Sequence, residues 1–298
     1  MDLAIEIGGT KLQLAVGQAD GKLHALWRGH VQSHEGGEGI RRQIVMALPE
    51  LLKQAGLTHD QIRGIGIGFG GPTDDTTQSV IKSHHIAGWD NFPLATWMSE
   101  LVGKPCVISN DADVAGLGEA MFGAGRGYSP IFYITVGTGI GGGLIINGQM
   151  YRGCGRGAAE IGHLRVRDGD ILESYSAGWG IEARANALQT SGTRYTARDV
   201  ARLAQEGTPW AQGVMDQAIA ALAEAIQQMI KLLCPRRIVI GGGVSLIGEE
   251  RFFQPLRARV ADGIFPPFAG LTEIVPAELG EEVVLHGALA LAAQTFGR

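Results

Sequence analysis

Residues 4–17, AIEIGGTKLQLAVG, contain two short apolar runs separated by two glycines, a threonine and a lysine. Alternation of this kind is typical of β-strands, and the glycine-rich centre predicts a hairpin turn. Glu6 interrupts the apolar pattern of the first run, and Lys11 places a second charge at the turn. Because a turn alone needs only glycine, the charges indicate a further role for Gly8–Lys11, which we call the first hairpin.

The predicted elements that follow occur in an order that is repeated once in the chain. In the first copy we expect a third strand at about 22–31 and a helix at about 38–55. A buried strand that ends in glycine is expected at about 63–72, and a strand that leads into a helix at about 104–113. In the second copy we expect two strands at about 129–146, joined by a second hairpin (GTGIGGG, 137–143), and a short strand at about 149–152, after Asn147-Gly148. A long amphipathic segment is expected at about 199–233, and two further strands at about 235–244 and 271–279.

Five strands in each copy predict a duplicated α/β fold, because the units of a solenoid would be far shorter. We predict an N-terminal lobe of residues 1–115, joined by the C-terminal helix 282–298, and a C-terminal lobe of residues 116–281. A cleft between two such lobes is the expected ligand site, with the two hairpins facing each other across it.

Composition narrows the class of protein. The 298 residues are 45% hydrophobic and 18% charged, which is typical of a globular protein and not of a disordered one. A net charge of -5 argues against binding along a nucleic-acid duplex. The three cysteines lack CxxC spacing, no segment is suited to crossing a membrane, and no signal peptide is apparent. We therefore expect a cytoplasmic protein.

The two hairpins are suited to binding a polyphosphate. Backbone N–H groups at glycine are unobstructed by side chains, Thr10 and Thr138 add hydroxyl donors, and Lys11 adds a positive charge. Glu6 fits an indirect Mg²⁺ contact, because Mg²⁺ keeps several waters and takes only one or two carboxylates. Glycines that merely form turns are the alternative. Neither a P-loop nor a Rossmann glycine motif is present.

Residues 109–120, SNDADVAGLGEA, place three polar side chains where a strand becomes a helix. Capping of the helix N-terminus explains such residues without any function, and we assign Asp113 to that role. Asp111 is expected nearer the ligand site, where its carboxylate could accept the proton of a substrate hydroxyl that attacks a γ-phosphate.

A second polar set follows the second hairpin. Glu160 and His163 lie three residues apart in AAEIGHLRV, and Glu173 follows in ILESYSAG. A single histidine beside an apolar run is more often structural. Two carboxylates and an imidazole together are suited to hydrogen bonding with sugar hydroxyl groups.

Taken together, EIGGTK, NDADVAGLGE, VGTGIGGGL, EIGH, LESYSAG and IVIGGGV occur in an order and spacing that resemble the ROK family of sugar kinases and repressors. The resemblance covers essentially the whole chain. It implies an actin-like (hexokinase-like, ribonuclease H-like) fold with ATP and sugar in the interlobe cleft, and a homodimer.

The resemblance also implies a role for individual residues. Asp111 corresponds to the family's general base. Sugar contacts are implied for Gly70, Gly71, Asn110, Glu160, His163 and Glu173. Nucleotide contacts are implied for Gly241, Gly242 and Gly243, in addition to Gly8, Gly9, Thr10, Lys11, Gly137, Thr138 and Gly139 of the two hairpins.

Two departures from the family pattern affect the expected metals. Glu6 stands where the family usually has Asp, and the longer side chain is expected to keep the Mg²⁺ role. Members usually carry a cysteine-rich zinc loop between ExGH and LE.Y, with the histidine as a ligand. Here the interval is short and has no cysteine, so we expect no zinc.

These observations predict an ATP-dependent hexose kinase, and the resemblance to the family implies that it phosphorylates O6. A repressor is the first alternative, but family repressors carry a DNA-binding domain before the first phosphate motif, and here that strand begins at Asp2. A catalytically inactive sugar-binding or regulatory protein is the second alternative. An enzyme of the wider superfamily that acts on another substrate is the third, and it would leave EIGH and LESYSAG without a use.

The sequence does not identify the hexose. Glucose, fructose, mannose, allose and N-acetylhexosamines all stay open. His85, in HHIAGWDN, replaces an asparagine found in many family members near the pocket, so it is a candidate determinant of sugar selection.

Overall fold

The computed structural model describes residues 1–83, 86–189 and 192–297, and it is a mixed α/β structure. The strands are β1 Asp2–Ile7, β2 Lys11–Gly17, β3 Leu23–His30, β4 Ile65–Phe69, β5 Thr73–Asp74, β6 Ser79–Val80, β7 Cys106–Asn110, β8 Ile131–Val136, β9 Ile140–Ile146, β10 Gln149–Met150, β11 Arg237–Gly241 and β12 Glu273–Pro276.

The α-helices are α1 Gly36–Ala55, α2 Leu94–Val102, α3 Asp111–Phe122, α4 Glu173–Ser176, α5 Gly178–Leu188, α6 Ala197–Gln205, α7 Pro209–Leu233, α8 Gln254–Asp262 and α9 Val283–Phe296. Short 3₁₀ or π turns occur at Ser33–Glu35, His59–Gln61, Ile161–His163, Arg167–Gly169, Ser245–Ile247, Glu249–Phe253, Pro266–Phe268 and Gly280–Glu282. Within the described ranges, no helix is both long and apolar enough to cross a membrane.

Two five-stranded sheets have the same strand order. The first is β3-β2-β1-β4-β7, and the second is β10-β9-β8-β11-β12. Numbered within each copy, both orders read 3-2-1-4-5. In the first sheet β1, β4 and β7 are parallel, as β8, β11 and β12 are in the second. The repeat of five strands predicted from the sequence is therefore confirmed.

The chain divides into two compact units. Unit 1 contains Met1–Gly127, Gly143–Ala158 and Glu278–Arg298, and unit 2 contains Tyr128–Gly142 and Ala159–Ala277. The boundary near residue 142 falls inside β9. The lobes predicted from the sequence divide the chain at 115/116 and 281/282, and they stay a prediction.

In unit 1 the first sheet lies between two helical layers. Leu3, Ile5 and Ile7 of β1 share a buried core with apolar residues of α1 and α2. On the other face α9 approaches so closely that a Cβ built on Gly66 would lie 2.0 Å from the carbonyl oxygen of Ala288. Some of the 46 glycines of the chain therefore serve helix–sheet packing rather than turns or ligands.

Two local features were not predicted from the sequence. The amphipathic segment 199–233 is two helices, α6 and α7, because Gly207 has a φ of 89° and Pro209 begins the second helix. The antiparallel β5–β6 pair was not predicted, since its strands are only two residues long. In unit 2, α7 packs against α4, α5, α6 and α8.

Candidate active site

The carboxyl ends of three parallel strands meet in unit 1. Ile7 of β1 is in register with Phe69 of β4, and Phe69 is in register with Asn110 of β7. The three residues that follow these strands, Gly8, Gly70 and Asp111, therefore lie close together. A Cβ built on Gly70 would lie 3.4 Å from Oδ2 of Asp111 and 3.5 Å from the Cα of Gly8. Ligands of open α/β sheets bind at such strand ends.

Asn110 joins the glycine corner after β4 to the start of α3. Its Oδ1 accepts hydrogen bonds from the backbone N–H of Ala112 at 2.9 Å and of Asp113 at 3.4 Å, which makes it the N-cap. Its Nδ2 donates to the carbonyl oxygen of Gly71 at 3.1 Å. The side chain that the sequence assigned to sugar binding thus also fixes two neighbouring segments of the candidate site.

Asp111 is the first residue of α3 and is partly buried. Burial raises the pKa of its carboxyl group to about 7, and the negative charges of Glu6 and Asp113 act in the same direction. A carboxylate with this pKa can take up a proton near neutral pH, as a general base must.

Asp113 has a different environment from the one predicted. The sequence assigned it to the helix cap, but the cap is Asn110, and the buried carboxylate of Asp113 forms an ion pair with Arg152. Arg152 also contacts Asp75 at 3.0 Å and donates to Oγ1 of Thr73 at 3.1 Å. Sequence reasoning missed Arg152 because its partners lie 39 to 79 residues away.

Glu6 belongs to a row of polar side chains that crosses the first sheet. Glu6 faces Gln13, and Gln13 faces Arg28, in the antiparallel registers of β1, β2 and β3. Gln13 donates to Oε2 of Glu6 at 2.8 Å and accepts from Nε of Arg28 at 2.9 Å. Gln13 is fully buried, so a glutamine at an inward position of an apolar strand was the signal that could have revealed this row.

Lys11 does not point freely from the first hairpin. Its Nζ lies 3.1 Å from Oε1 of Glu6 and donates to the carbonyl oxygen of Glu281 at 3.0 Å. Burial raises the pKa of Glu6 above its ordinary value, while Lys11 and Gln13 act in the opposite direction. The ammonium group predicted to meet phosphate therefore also compensates a buried carboxylate.

The second hairpin, whose residues 137–142 belong to unit 2, is held mainly by backbone groups. The N–H of Gly137 donates to the carbonyl oxygen of Gly139 at 2.9 Å, and the carbonyl oxygen of Gly137 accepts from the N–H of Gly178 at 2.8 Å. Beside it, the glycine corner after β11 contacts the end of β8, because the N–H of Val244 donates to the carbonyl oxygen of Val136 at 2.9 Å.

The glycines of these two segments fall into two groups. Gly242 has a φ of 87°, and a Cβ there would lie 2.5 Å from the carbonyl oxygen of Val136, so the fold itself requires glycine. At Gly137 and Gly243 an added Cβ would meet nothing within 4 Å, and φ is not in the left-handed range. At these two positions the fold does not explain the glycine, and close approach of a ligand would.

Glu173 connects the second polar set to the second hairpin. Its Oε1 accepts a hydrogen bond from the N–H of Ile140 at 2.6 Å. Gly162 packs beside it, since a Cβ there would lie 2.3 Å from the carbonyl oxygen of Ile140 and 3.0 Å from Cγ of Glu173. Glu160 and His163 flank Gly162 and are exposed. The glycine within EIGH was the available sequence signal for this contact.

A family model agrees with this arrangement of motifs. The model of the ROK family matches residues 2–295. The chain belongs to the ROK family. It is 29% identical over 316 residues to the glucokinase of Thermotoga maritima, and the match covers 99% of this chain and 98% of that protein.

The fold of this ROK protein is also similar to that of two solved structures. The ROK hexokinase of Thermus thermophilus matches with a TM-score of 0.84 at 29% identity, over 99% of this chain and 98% of that one. The ROK family glucokinase of Streptomyces griseus, solved with glucose and AMPPNP, matches with a TM-score of 0.79 at 29% identity, over 98% and 99% of the two chains. The predicted fold class, an actin-like two-lobe α/β fold, is confirmed.

The structure brings part of the predicted site of this ROK protein together within each unit. In unit 1, Gly8, Gly70 and Asp111 adjoin one another, and Asn110 is bonded to Gly71. Thr10 and Thr138 are exposed, and Gly9 is partly buried. His85 lies outside the described residues.

Proposed function

We propose that this ROK protein is an ATP-dependent sugar kinase that transfers the γ-phosphate of ATP to a hexose hydroxyl, at O6, with Asp111 as the general base. Similarity along the whole chain to a glucokinase, and to a glucokinase solved with glucose and AMPPNP, supports the reaction class. The observation that carries the proposal is the carboxylate of Asp111, raised in pKa to about 7 beside the glycine corners of β1 and β4.

Asp111 acts on the acceptor. Its carboxylate accepts the proton of the hydroxyl as that oxygen attacks the γ-phosphate, and the protonated group is tolerated because burial favours the neutral form. Most of the remaining rate enhancement comes from positioning and charge neutralisation.

The nucleotide contacts come from both hairpins and from the corner after β11. Gly8, Gly9, Gly137, Gly139 and Gly241–Gly243 let the backbone approach phosphate and nucleotide, Thr10 and Thr138 add hydroxyl donors, and Lys11 adds charge. The open space at Gly137 and Gly243 supports this assignment.

Glu6 is suited to Mg²⁺ through water rather than directly. Its two carboxylate oxygens contact Lys11 and Gln13, so water molecules between Glu6 and the ion fit better than direct ligation. Bound Mg²⁺ would neutralise the charge of the phosphates. Glu6 would hold the ion through water molecules.

The hexose contacts are assigned to Gly70, Gly71, Asn110, Glu160, His163 and Glu173. Carboxylates accept from sugar hydroxyls, and imidazole and amide groups can donate as well. Glucose, fructose, mannose, allose and N-acetylhexosamines are the candidates. We further propose a cytoplasmic homodimer without bound zinc.

The first experiment is a coupled assay of ADP formation with each candidate hexose, followed by product analysis for phosphate at O6. We expect ATP consumption that depends on one or a few of these sugars. Sugar binding without ATP consumption would show the inactive sugar-binding protein instead.

The second experiment compares two aspartates that lie two residues apart. Asp111→Asn should lower kcat by about 10²- to 10⁴-fold and leave sugar affinity within about tenfold, because a base acts in the transition state. Retention of more than about a tenth of kcat would remove Asp111 from this role.

Asp113→Asn is the matched control. It should keep kcat within about tenfold but lower the free energy of unfolding by about 2–3 kcal/mol, because Arg152 loses one of its two carboxylate partners. This is more than the ~1 kcal/mol that a helix cap alone would give.

A further inference from the structure

Residues 164–172, between the EIGH and LESYSAG motifs, form a closed hydrogen-bonded hairpin, which we call the linker hairpin. Arg165 and Ile171 pair in an antiparallel bridge. The N–H of Val166 donates to the carbonyl oxygen of Asp170 and the N–H of Leu172 donates to that of Leu164, both at 2.9 Å. This short segment therefore folds back on itself through backbone hydrogen bonds, and the guanidinium of Arg165 also donates to the carbonyl oxygen of Gly169.

Side chains of α4 and α5 hold the linker hairpin from one side. Arg184 lies 3.5 Å from the ring centroid of Tyr175 and donates from Nε to the carbonyl oxygen of Ser174 at 3.0 Å. Its Nη2 lies 3.8 Å from Oδ2 of Asp170, and the hydroxyl of Tyr175 donates to Oδ2 of Asp168 at 3.4 Å. One arginine thus joins the tip of the hairpin to the helix that begins with Glu173.

The linker hairpin joins directly to both the EIGH turn and Glu173. Leu164 follows His163 directly, and Leu172 precedes Glu173 directly, so the hydrogen bond between Leu164 and Leu172 ties the two motifs together. At the same place Gly162 packs on Cγ of Glu173. A displacement of the hairpin would therefore change the separation of Glu160, His163 and Glu173.

The residues present do not fit the zinc site that the family pattern implies. The interval contains no cysteine. Its two carboxylates already have partners, because Asp168 accepts from Tyr175 and Asp170 pairs with Arg184. Among the residues that the structure describes, no group of three or more His, Cys, Asp or Glu side chains is placed to hold a metal ion. His163 alone is not a closed tetrahedral donor set.

We propose that the linker hairpin replaces the zinc loop as a metal-independent brace, and that Arg184 is the positioning residue that keeps Glu173 and the EIGH turn at the spacing needed to bind the hexose. The proposal rests on the proposed function for its link to sugar. The cation–π contact and the Nε hydrogen bond are directional, so they fix the guanidinium of Arg184 on α4. The ion pair of Arg184 with Asp170 and the hydrogen bond of Tyr175 to Asp168 then join α4 to the linker hairpin.

The experiment compares Arg184→Ala, Arg184→Lys and wild type. Arg184→Ala should raise the KM and the calorimetric Kd for the hexose about tenfold while KM for ATP changes less than about threefold. Hydrogen exchange at the amides of Val166 and Leu172 should quicken about tenfold or more. Arg184→Lys keeps the charge near Asp170 and should recover part of both effects.

Arg202→Ala is the matched control, because Arg202 is an exposed arginine of the same unit. Within the part of the chain that the structure describes, its ion-pair partners are Asp199 of its own helix and Glu206 at the C-cap of that helix. This variant should change neither hexose affinity nor exchange in the linker hairpin. Unchanged hexose affinity in Arg184→Ala, or equal losses for hexose and ATP, would overturn the positioning role.

Whether the linker hairpin depends on a bound metal ion is tested by hydrogen exchange, which does not require enzyme activity. A strong chelator should leave exchange at Val166 and Leu172 unchanged in wild type. One zinc per chain whose removal quickens that exchange would overturn the metal-independent brace. Absence of ATP consumption with every hexose would contradict the proposed function instead, while the exchange and calorimetric measurements would still decide the proposal about Arg184.

Discussion

The first and second hairpins occupy equivalent places in two sheets of identical strand order, and backbone hydrogen bonds hold both, but the side chains beside them differ. The first hairpin adjoins a row of charged and amide side chains, in which Glu6 contacts Lys11 and Gln13. The second hairpin is held by backbone hydrogen bonds to Gly139 and Gly178 and by one carboxylate, that of Glu173.

The comparison shows that two regions can share a strand order and still differ in the side-chain contacts that stabilise them. Duplication preserves strand order, because order is set by the pattern of strands and crossovers. The side chains around the turns are free to diverge. The stability of the first hairpin should therefore respond to pH and salt, and that of the second to side-chain volume added at its closely packed positions.

The largest effect is expected from a single methyl group beside the second hairpin. Gly242→Ala should lower the free energy of unfolding by roughly 3 kcal/mol or more, because φ is 87° and the new Cβ would lie 2.5 Å from Val136. Urea unfolding measures this loss.

Gly243→Ala is the control at the next residue. An added Cβ there meets nothing within 4 Å, so unfolding should stay within about 0.5 kcal/mol of wild type while ATP affinity falls. Unchanged ATP affinity would mean that Gly243 does not contact the nucleotide. Similar stability in both variants would contradict the division of these glycines into two groups.

The next effect concerns the pH dependence of stability in unit 1. The folded protein holds the Asp111 proton up to about pH 7, whereas the ordinary pKa is 3.8. Below pH 3.8 this group is mostly protonated in both states; between pH 3.8 and about 7 the unfolded state has released the proton that the folded state keeps, so stability falls as pH rises and levels off above pH 7. Asp111→Asn removes this penalty.

The stability advantage of Asp111→Asn over wild type should therefore grow by about 1–3 kcal/mol between pH 4 and pH 8. Urea unfolding of both proteins at several pH values measures it, and other titrating groups cancel in the comparison. A difference that stays constant across this range would show that Asp111 is not held in an environment that favours its neutral form.

A third prediction tests the charge of Lys11 at the first hairpin. Lys11→Met should lower kcat/KM for ATP about tenfold. It should also move the acidic limb of that pH profile to higher pH, because loss of the ammonium raises the pKa of Glu6 further. Lys22→Met, at an exposed turn of the same unit, should leave both unchanged. A tenfold loss without a change in the pH profile would separate Lys11 from Glu6.

Much of the fold was predictable because apolar periodicity and glycine turns are local signals. The two sets of five strands, α1 and α9 follow from such patterns. The break between α6 and α7 was missed even though Gly207 and Pro209 mark it, since the amphipathic pattern continues on both sides.

The candidate site was less predictable, because its supporting contacts join residues far apart in sequence. Arg152 bridges Asp75 and Asp113, and Arg184 stacks on Tyr175, but neither arginine stands in a recognisable motif. Motifs identified which residues are candidates for chemistry. They did not identify which side chains hold those residues in place, and the assignment of ligands to the motif residues stays a prediction.

The smallest effect is expected at the outer end of the polar row. Arg28 is about half exposed, donates to Gln13 and forms an ion pair with Glu282. Arg28→Ala should lower the free energy of unfolding by less than about 1 kcal/mol, because solvent-exposed ion pairs contribute little. Most of that loss should disappear in 1 M NaCl, where the Debye length is about 3 Å.

The steric counterpart is Gly178→Ala at the second hairpin. A Cβ there would lie 3.1 Å from the carbonyl oxygen of Gly137, so its effect on unfolding should be the same at low and high salt. Urea unfolding of wild type and both variants in ~0.05 M and 1 M NaCl makes the comparison. A salt-independent loss of more than about 2 kcal/mol in Arg28→Ala would show that the polar row acts as a buried network. In that case the contrast between the two hairpins would be one of sequence and not of physical mechanism.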